Sequence, residues 1–247
     1  MSSEAAARAG EDVENVRSFF DQWAIYRRVI ERNYLFHREA YAELDRVLGG
    51  FGGRAVSVLD LGSGDASYMA EVLARHAVAA YRGVDISPVA LSLARENVGR
   101  LGCPAEFTQG DFFALVPTLR EAADFVYIGL SLHHLPLADK GRFLADLRRV
   151  VKPGGCLMVC EPICRAGESR SAVLDRWWDI VSRKWTALSA EDMAAVKGHV
   201  FGNDYPESID TYDALGRAAG FAPVAVRFTC PDELYAVLEF RPAAGLG

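Results

Sequence analysis

From Ala55 to Glu161, short apolar runs take turns with amphipathic stretches of helical length, and no other feature limits the fold as much. A strand followed by a helix-length crossover cannot return by a tight hairpin. Successive strands therefore pair in parallel, and the helices between them cover the faces of the sheet. The strands read as 55–60 (AVSVLD), 80–85 (AYRGVD), 104–108, 124–130 (DFVYIGL) and 155–161 (GCLMVCE), with helices near 66–76, 88–99 and 139–151. The chain is thus expected to be an α/β protein.

On either side the pattern changes. Residues 13–48 place Val16, Phe19, Phe20, Trp23, Tyr26, Val29 and Ile30, then Tyr34, Leu35, Phe36, Tyr41, Leu44 and Leu48, at helical spacing, and the glycine-rich 49–53 closes the segment. Two helices ahead of the main fold are expected. Residues 165–207, with Trp177, Trp178, Trp185 and a charged second half, interrupt the alternation; 208–219 then reads as helix, and 222–229 and 234–240 as strands. The organisation expected is an N-terminal helical segment over 1–50 and a main domain over 51–247, the latter carrying an insert, about 165–207, that caps the strand ends.

Composition excludes some functions. The 27 basic residues stand against 33 acidic ones, a formal net charge of −6, so no affinity for a nucleic-acid backbone is expected. No run approaches the roughly 18 apolar residues that cross a bilayer. The start, MSSEAAARAGEDVEN, lacks a basic stretch followed by an apolar one, so the expected location is the cytoplasm, with no membrane partner. The five cysteines (Cys103, Cys156, Cys160, Cys164 and Cys230) show neither a disulfide framework nor paired zinc spacing. No Asp-x-Asp or His/carboxylate cluster at ligand spacing occurs, so no metal is expected. The expected partner is a small-molecule substrate, bound by a monomer or a homodimer.

The first strand runs into Asp60-Leu61-Gly62-Ser63-Gly64-Asp65-Ala66, a turn whose glycines let backbone approach a ligand. Asp85 closes the next strand 21 positions after Gly64, where a carboxylate can accept from both hydroxyls of a ribose. Asp60 and Asp65 flank the turn and repel a diphosphate while welcoming an ammonium group. The third glycine of a dinucleotide fingerprint is missing, which leaves nicotinamide and flavin cofactors as second choices. Gly110-Asp111-Phe112-Phe113, after the third strand, offers a carboxylate and an apolar ring to an adenine.

VLDLGSGDAS (58–67), GVDIS (83–87), GDFF (110–113), SLHHL (131–135) and LRRVVKPGG (147–155) resemble, in order and spacing, the motifs of class I S-adenosylmethionine-dependent methyltransferases of the small-molecule type. The resemblance implies a three-layer Rossmann-like sheet of seven strands, order 3-2-1-4-5-7-6 with strand 7 antiparallel, S-adenosyl-L-methionine as cofactor and S-adenosyl-L-homocysteine as product. It implies Gly62 and Gly64 along the methionine part, Asp60 near its amino group, Asp85 at the ribose, and Asp111 with Phe112 at the adenine. Ile86 and Leu130 are further expected cofactor contacts. His133 is placed facing the transferred methyl group, with His134 turned toward the fold, so His133 is a candidate base for a hydroxyl or ammonium acceptor.

In related enzymes an N-terminal helical segment closes over the cofactor as a lid. Tyr34 and His37, three apart on one expected helical face, are the candidate catalytic pair of that lid. Tyr26, Trp177, Trp178 and Glu161, which ends the fifth strand, are expected against the substrate. His199, Asp204 and Tyr205 populate the insert as binding or plain surface residues. The expected reaction moves a methyl group to oxygen, nitrogen or carbon of a small molecule. The alternatives are internal cyclisation of the cofactor, as in methyltransferase-like azetidine synthases, a non-catalytic cofactor-binding subunit, and a nicotinamide dehydrogenase.

Overall fold

The computed structural model describes residues 25–244. Helix α1 covers residues 25–31 and α2 covers His37–Gly49; the expected helical stretch 13–24 lies outside the described residues. The alternating body follows as β1 (Val56–Leu61), α3 (Ser67–Leu73), β2 (Val78–Asp85), α4 (Pro88–Gly99), β3 (Ala105–Gln109), the short α5 (Phe112–Leu115), β4 (Ala123–Gly129), α6 (Leu137–Val150) and β5 (Val151–Cys164). Then come α7 (Arg170–Lys184), α8 (Ala190–Asn203), the two-residue β6 (Glu207–Ser208), α9 (Ile209–Ala218), β7 (Ala225–Thr229) and β8 (Tyr235–Phe240).

The sheet order is β3-β2-β1-β4-β5-β8-β7, with β8 antiparallel to both neighbours and β6 paired only to the end of β5. Leaving out β6 gives the expected order 3-2-1-4-5-7-6. Helices sheathe both faces, so β1 and β4 at the centre are buried almost throughout and their sequences read as continuous apolar runs. The edge strand β3 alternates far less strictly and is largely exposed. Because β1 to β5 are parallel, the tips of all five open on one edge of the sheet, where ligands bind in such folds.

Local chemistry explains most boundaries. Ser87 caps α4 by accepting from the Ala90 N–H, with Pro88 in the first helical position. Ser189 and Asp192 form a reciprocal capping box at α8. Strand β5 is longer than expected at both ends. Its Lys-Pro-Gly-Gly start pairs irregularly with β4, and a Cβ on Gly155 would meet the Asp124 carbonyl at 2.6 Å. At its far end Pro162 still pairs with Tyr235.

The expected shared helical face for Tyr34 and His37 does not form. Asn33 and Phe36 take left-handed backbone conformations (φ 55° and 58°), α1 ends before them, and α2 starts only at His37. The Asn33 side chain accepts from the Arg38 N–H and so satisfies one donor of the α2 start. The region 165–207 forms α7 and α8. Their Trp177, Val181 and Trp185 pack with Val29, Leu234 and Tyr235 in a core separate from the two that flank the sheet. Among the described residues no helix is long and apolar enough to cross a membrane.

Candidate active site

The β1–α3 turn shapes the first half of the site. Gly62 has φ 70°, and a Cβ there would stand 3.0 Å from the Ser131 Oγ and 3.5 Å from the Phe112 ring, so only glycine fits the bend. The N–H groups of Gly62 and Ser63 donate to the Val84 carbonyl, tying the turn to β2. Asp85, at the tip of β2, accepts from the Gly64 N–H (2.8 Å) and the Ser87 N–H (2.8 Å). Asp60 is buried and accepts from the Tyr81 hydroxyl at 2.7 Å. Burial raises its pKa, the Tyr81 hydrogen bond opposes and the Asp85 charge adds to the rise; the carboxyl ends at about 7.

A cavity of about 60 Å³ lies along this turn, lined by Asp60, Gly62, Gly64, His37, Tyr26 and Leu130 among others. His37 is buried, its Nε2 is 3.3 Å from the Tyr26 hydroxyl, and burial lowers its pKa to about 4, which keeps it neutral. Two buried polar atoms on this cavity's lining residues, His37 Nδ1 and Ser63 Oγ, have no hydrogen-bond partner among the described residues. Further out, Asp111 caps α5 by accepting from the Phe113 N–H (2.8 Å), Ile86 is 73% exposed, and Phe112 packs into the core under the turn.

A second cavity, about 400 Å³, adjoins the first and shares Tyr26, Leu35 and Leu130 as walls. Its lining is mostly apolar, with Val29, Val173, Trp177 and Tyr235 prominent, and its polar groups include His133, His134, His199 and Asp204. Trp177 is held by donating from its Nε1 to the Tyr235 hydroxyl at 2.8 Å. Trp178 does not line this cavity. It faces α8, where the Lys197 ammonium lies 4.4 Å from its ring centroid, as expected when neighbouring helical residues point about 100° apart.

Glu161 corrects another expectation. It is fully buried, and its oxygens accept from the backbone N–H groups of Ser131 (2.9 Å), Leu132 (2.9 Å) and His133 (3.0 Å). The His133 Nδ1 is 2.5 Å from the same carboxylate. Glu161 thus anchors the turn 131–134 rather than meeting a substrate. Burial alone would raise Glu161, but the His133 charge and these hydrogen bonds outweigh it and hold the carboxyl below its ordinary value. Burial likewise opposes the His133 shift, and Glu161 reverses it upward. With Nδ1–H committed to Glu161, the lone pair of His133 sits on Nε2.

His134 also lines the larger, mostly apolar cavity instead of turning into the fold. Burial and the charges of His133 and His199 lower its pKa to about 4. Asp204 lies 3.6 Å from the His133 Nε2 and 3.5 Å from the His134 Nδ1 through its Oδ1, and burial raises its pKa. The loop bearing Asp204 is fixed from below. The Tyr205 N–H donates to the His133 carbonyl at 2.8 Å. The fully buried Lys140 ammonium donates to the carbonyls of Leu135 (2.6 Å) and Tyr205 (2.6 Å) and to Glu207 (3.2 Å).

Tyr34 reaches neither cavity. Its ring stacks on Trp185 at 5.2 Å, and its hydroxyl accepts from the Ala187 N–H at 3.0 Å, so it ties the N-terminal segment to the α7–α8 connection. Residues without an earlier role that now border the cavities include Tyr41, Tyr127 and Tyr235. Asp204 and His199 gain a definite place from the way α8 folds back over the strand tips, which no short motif announces.

Residues 58–155 match a family described as a methyltransferase domain. The chain is 29% identical over 152 residues to an uncharacterized methyltransferase of Geobacillus kaustophilus, a match covering 61% of this chain and 68% of that one. Among solved structures it is similar to an O-methyltransferase family protein from Burkholderia thailandensis, with 22% identity, TM-score 0.59 and coverage of 93% and 71%. It is also similar to human N-acetylserotonin methyltransferase in complex with S-adenosylmethionine, with 18% identity, TM-score 0.55 and coverage of 84% and 51%, so it spans about half of that protein. Residues 58–155 thus match a methyltransferase domain, and the fold is the Rossmann-like one of class I methyltransferases.

Proposed function

We propose that the protein transfers a methyl group from S-adenosyl-L-methionine to a hydrogen-bearing heteroatom of a small, largely apolar molecule, and releases S-adenosyl-L-homocysteine. The observation that carries this reading is the pair of adjoining cavities, one along acidic strand tips and one apolar with a histidine end, meeting at Tyr26 and Leu130. The strand-tip groups fit an adenosyl amino acid. Each Asp85 oxygen keeps a lone pair beyond its backbone bond and can accept from a ribose hydroxyl. Asp60, Ser63 and His37 supply buried polar atoms where the amino acid part would lie, two of them without a hydrogen-bond partner among the described residues. Asp65 and Asp60 beside the turn disfavour a diphosphate there.

When bound, the cofactor supplies a methyl group already activated on sulfur, so the protein's work is to place the acceptor and prepare it. The apolar walls, Trp177 and Val173 among them, hold a flat or aliphatic body and keep water away. His133 is the group through which the acceptor is activated. Glu161 fixes its tautomer, and the Nε2 edge is left for the acceptor's O–H or N–H to donate to. No specific observation favours internal cyclisation of the cofactor or a purely non-catalytic role.

The test is an incubation of purified protein with S-adenosyl-L-methionine and a panel of small phenols, aliphatic alcohols and amines, with products read by mass spectrometry. The expected result is S-adenosyl-L-homocysteine with one acceptor gaining a methyl group. Methylthioadenosine without methylated product would overturn the proposal.

A further inference from the structure

We infer that His133, His134 and Asp204 form a binding site for one divalent transition-metal ion of the zinc class at the acceptor-side cavity. One donor atom from each lies within 4.8 Å of the other two. The Asp204 Oδ1 stands 3.6 Å from the His133 nitrogen and 3.5 Å from the His134 nitrogen, too far for good hydrogen bonds. Donors sharing a metal at about 2.0–2.2 Å sit roughly 3.0–3.5 Å apart, so both carboxylate–imidazole spacings already match a shared cation, and the imidazole pair, within 4.8 Å, has only to close around it.

A second observation points the same way. Asp204 is only 6% exposed, and its Oδ1 has no hydrogen-bond partner among the described residues. A buried carboxylate oxygen left unsatisfied is costly unless something fills the gap. Its surroundings give a small ligand a reason to be there, since both neighbouring rings also border the cavity.

The outer surroundings complete the case. Glu161 accepts from the His133 Nδ1–H, the carboxylate–imidazole arrangement that orients a metal-binding histidine and makes its other nitrogen a better donor. Lys140 and the Tyr205 N–H lock the Asp204 loop against the turn that carries both histidines. Two imidazoles and one carboxylate suit zinc or iron(II) better than magnesium, and three protein donors leave positions open to an acceptor oxygen. What the ion does there rests on the methyl-transfer reading; its binding does not. With the ion in place, activation through His133 becomes polarisation of an acceptor oxygen by the cation that His133 helps to hold.

The experiment uses the full chain, stripped with a chelator and confirmed folded by circular dichroism. It is titrated with Zn²⁺ by calorimetry and with Co²⁺ by visible absorption, and S-adenosyl-L-homocysteine binding is measured on the same samples. The expected result is uptake of one ion per chain, with the absorption of a Co²⁺ bound through nitrogen and oxygen. Asp204→Ala and His134→Ala should lose that uptake, Glu161→Gln should weaken it about 10- to 100-fold, and S-adenosyl-L-homocysteine binding should persist in both His134→Ala and Asp204→Ala. No uptake by the folded wild-type chain, or uptake that survives in His134→Ala, overturns the inference. Failure to bind S-adenosyl-L-homocysteine would instead count against the methyl-transfer reading. Should Asp204→Ala not fold, the partly exposed His134→Ala carries the test.

Discussion

Asp60 and Asp124 sit on neighbouring strands of one sheet, both nearly sealed from solvent, and the structure treats them in opposite ways. Asp124, at the start of β4, accepts from Arg54 (2.7 Å), from the Ser57 N–H (2.9 Å) and hydroxyl (2.6 Å), and from Lys152 (3.0 Å). Burial would raise it, but those donors prevail and hold it well below the usual carboxylate range. Asp60, at the tip of β1, takes a hydrogen bond from Tyr81 and is pushed up to about 7. One end of the sheet is stitched closed. The other keeps polar capacity in reserve at the edge where a ligand would complete it, and the Asp204, Ser63 and His37 atoms that lack a hydrogen-bond partner among the described residues share that edge.

The contrast predicts that substitutions at the tips act on chemistry and binding, while those at the base act on stability. The largest effect is expected for His133→Ala, which should lower kcat by about 10²- to 10⁴-fold and also lower the unfolding midpoint, because it strips the buried Glu161 carboxylate of its imidazole partner. Turnover that survives in folded His133→Ala would remove His133 from the chemistry. Next, Asp85→Ala should weaken S-adenosyl-L-homocysteine binding by about 10- to 100-fold, since hydrogen bonds to a charged acceptor are worth roughly 1.5–3 kcal/mol. Unchanged affinity would remove Asp85 from the ribose.

At the base, Asp124→Asn should cost about 1–3 kcal/mol in neutral urea unfolding, discounted because Arg54 and Lys152 are half exposed, and should spare affinity for the cofactor product. The pH dependence follows from the sign of the shift. A carboxylate depressed in the folded state stabilises above its unfolded pKa of about 3.9 and loses that contribution as pH falls toward the folded value. The acid limb of the wild-type stability profile should therefore flatten in Asp124→Asn.

Asp60 carries the opposite sign. Its folded pKa, about 7, exceeds the unfolded value, so its contribution is fully present in acid and is lost as pH rises through 7. Asp60→Asn should thus gain stability, about 2–3 kcal/mol, at pH 8 relative to pH 5 when compared with wild type. An unchanged difference between those two pH values would show that Asp60 is not strained.

What the sequence made legible follows the range over which each signal acts. The alternation of strands and helices, the Gly62 bend and the position of Asp85 rest on local periodicity and turn chemistry and could be read directly, whereas the strand order was implied by the family resemblance. Glu161 could be placed at a strand tip, but its role could not be read, because its partners are backbone N–H groups of a turn that begins thirty residues earlier. Tyr34 was displaced from the expected face by the left-handed Asn33 and Phe36; an asparagine is a residue type that tolerates that conformation, whereas nothing in Phe36 announces it. Asp204 meets His133 and His134 only because Lys140 and the packing of α7 and α8 bring its loop back over β5, a contact made across the fold with no spacing to betray it.

The central claim is that the acidic strand tips accept an adenosyl amino acid. Calorimetric titration of the folded chain with S-adenosyl-L-homocysteine, run beside an NADH titration, tests it most directly. The account predicts saturable binding of the first at one site per chain, weakened in Asp85→Ala, and none of the second. Binding of NADH, or no heat from S-adenosyl-L-homocysteine, would contradict it.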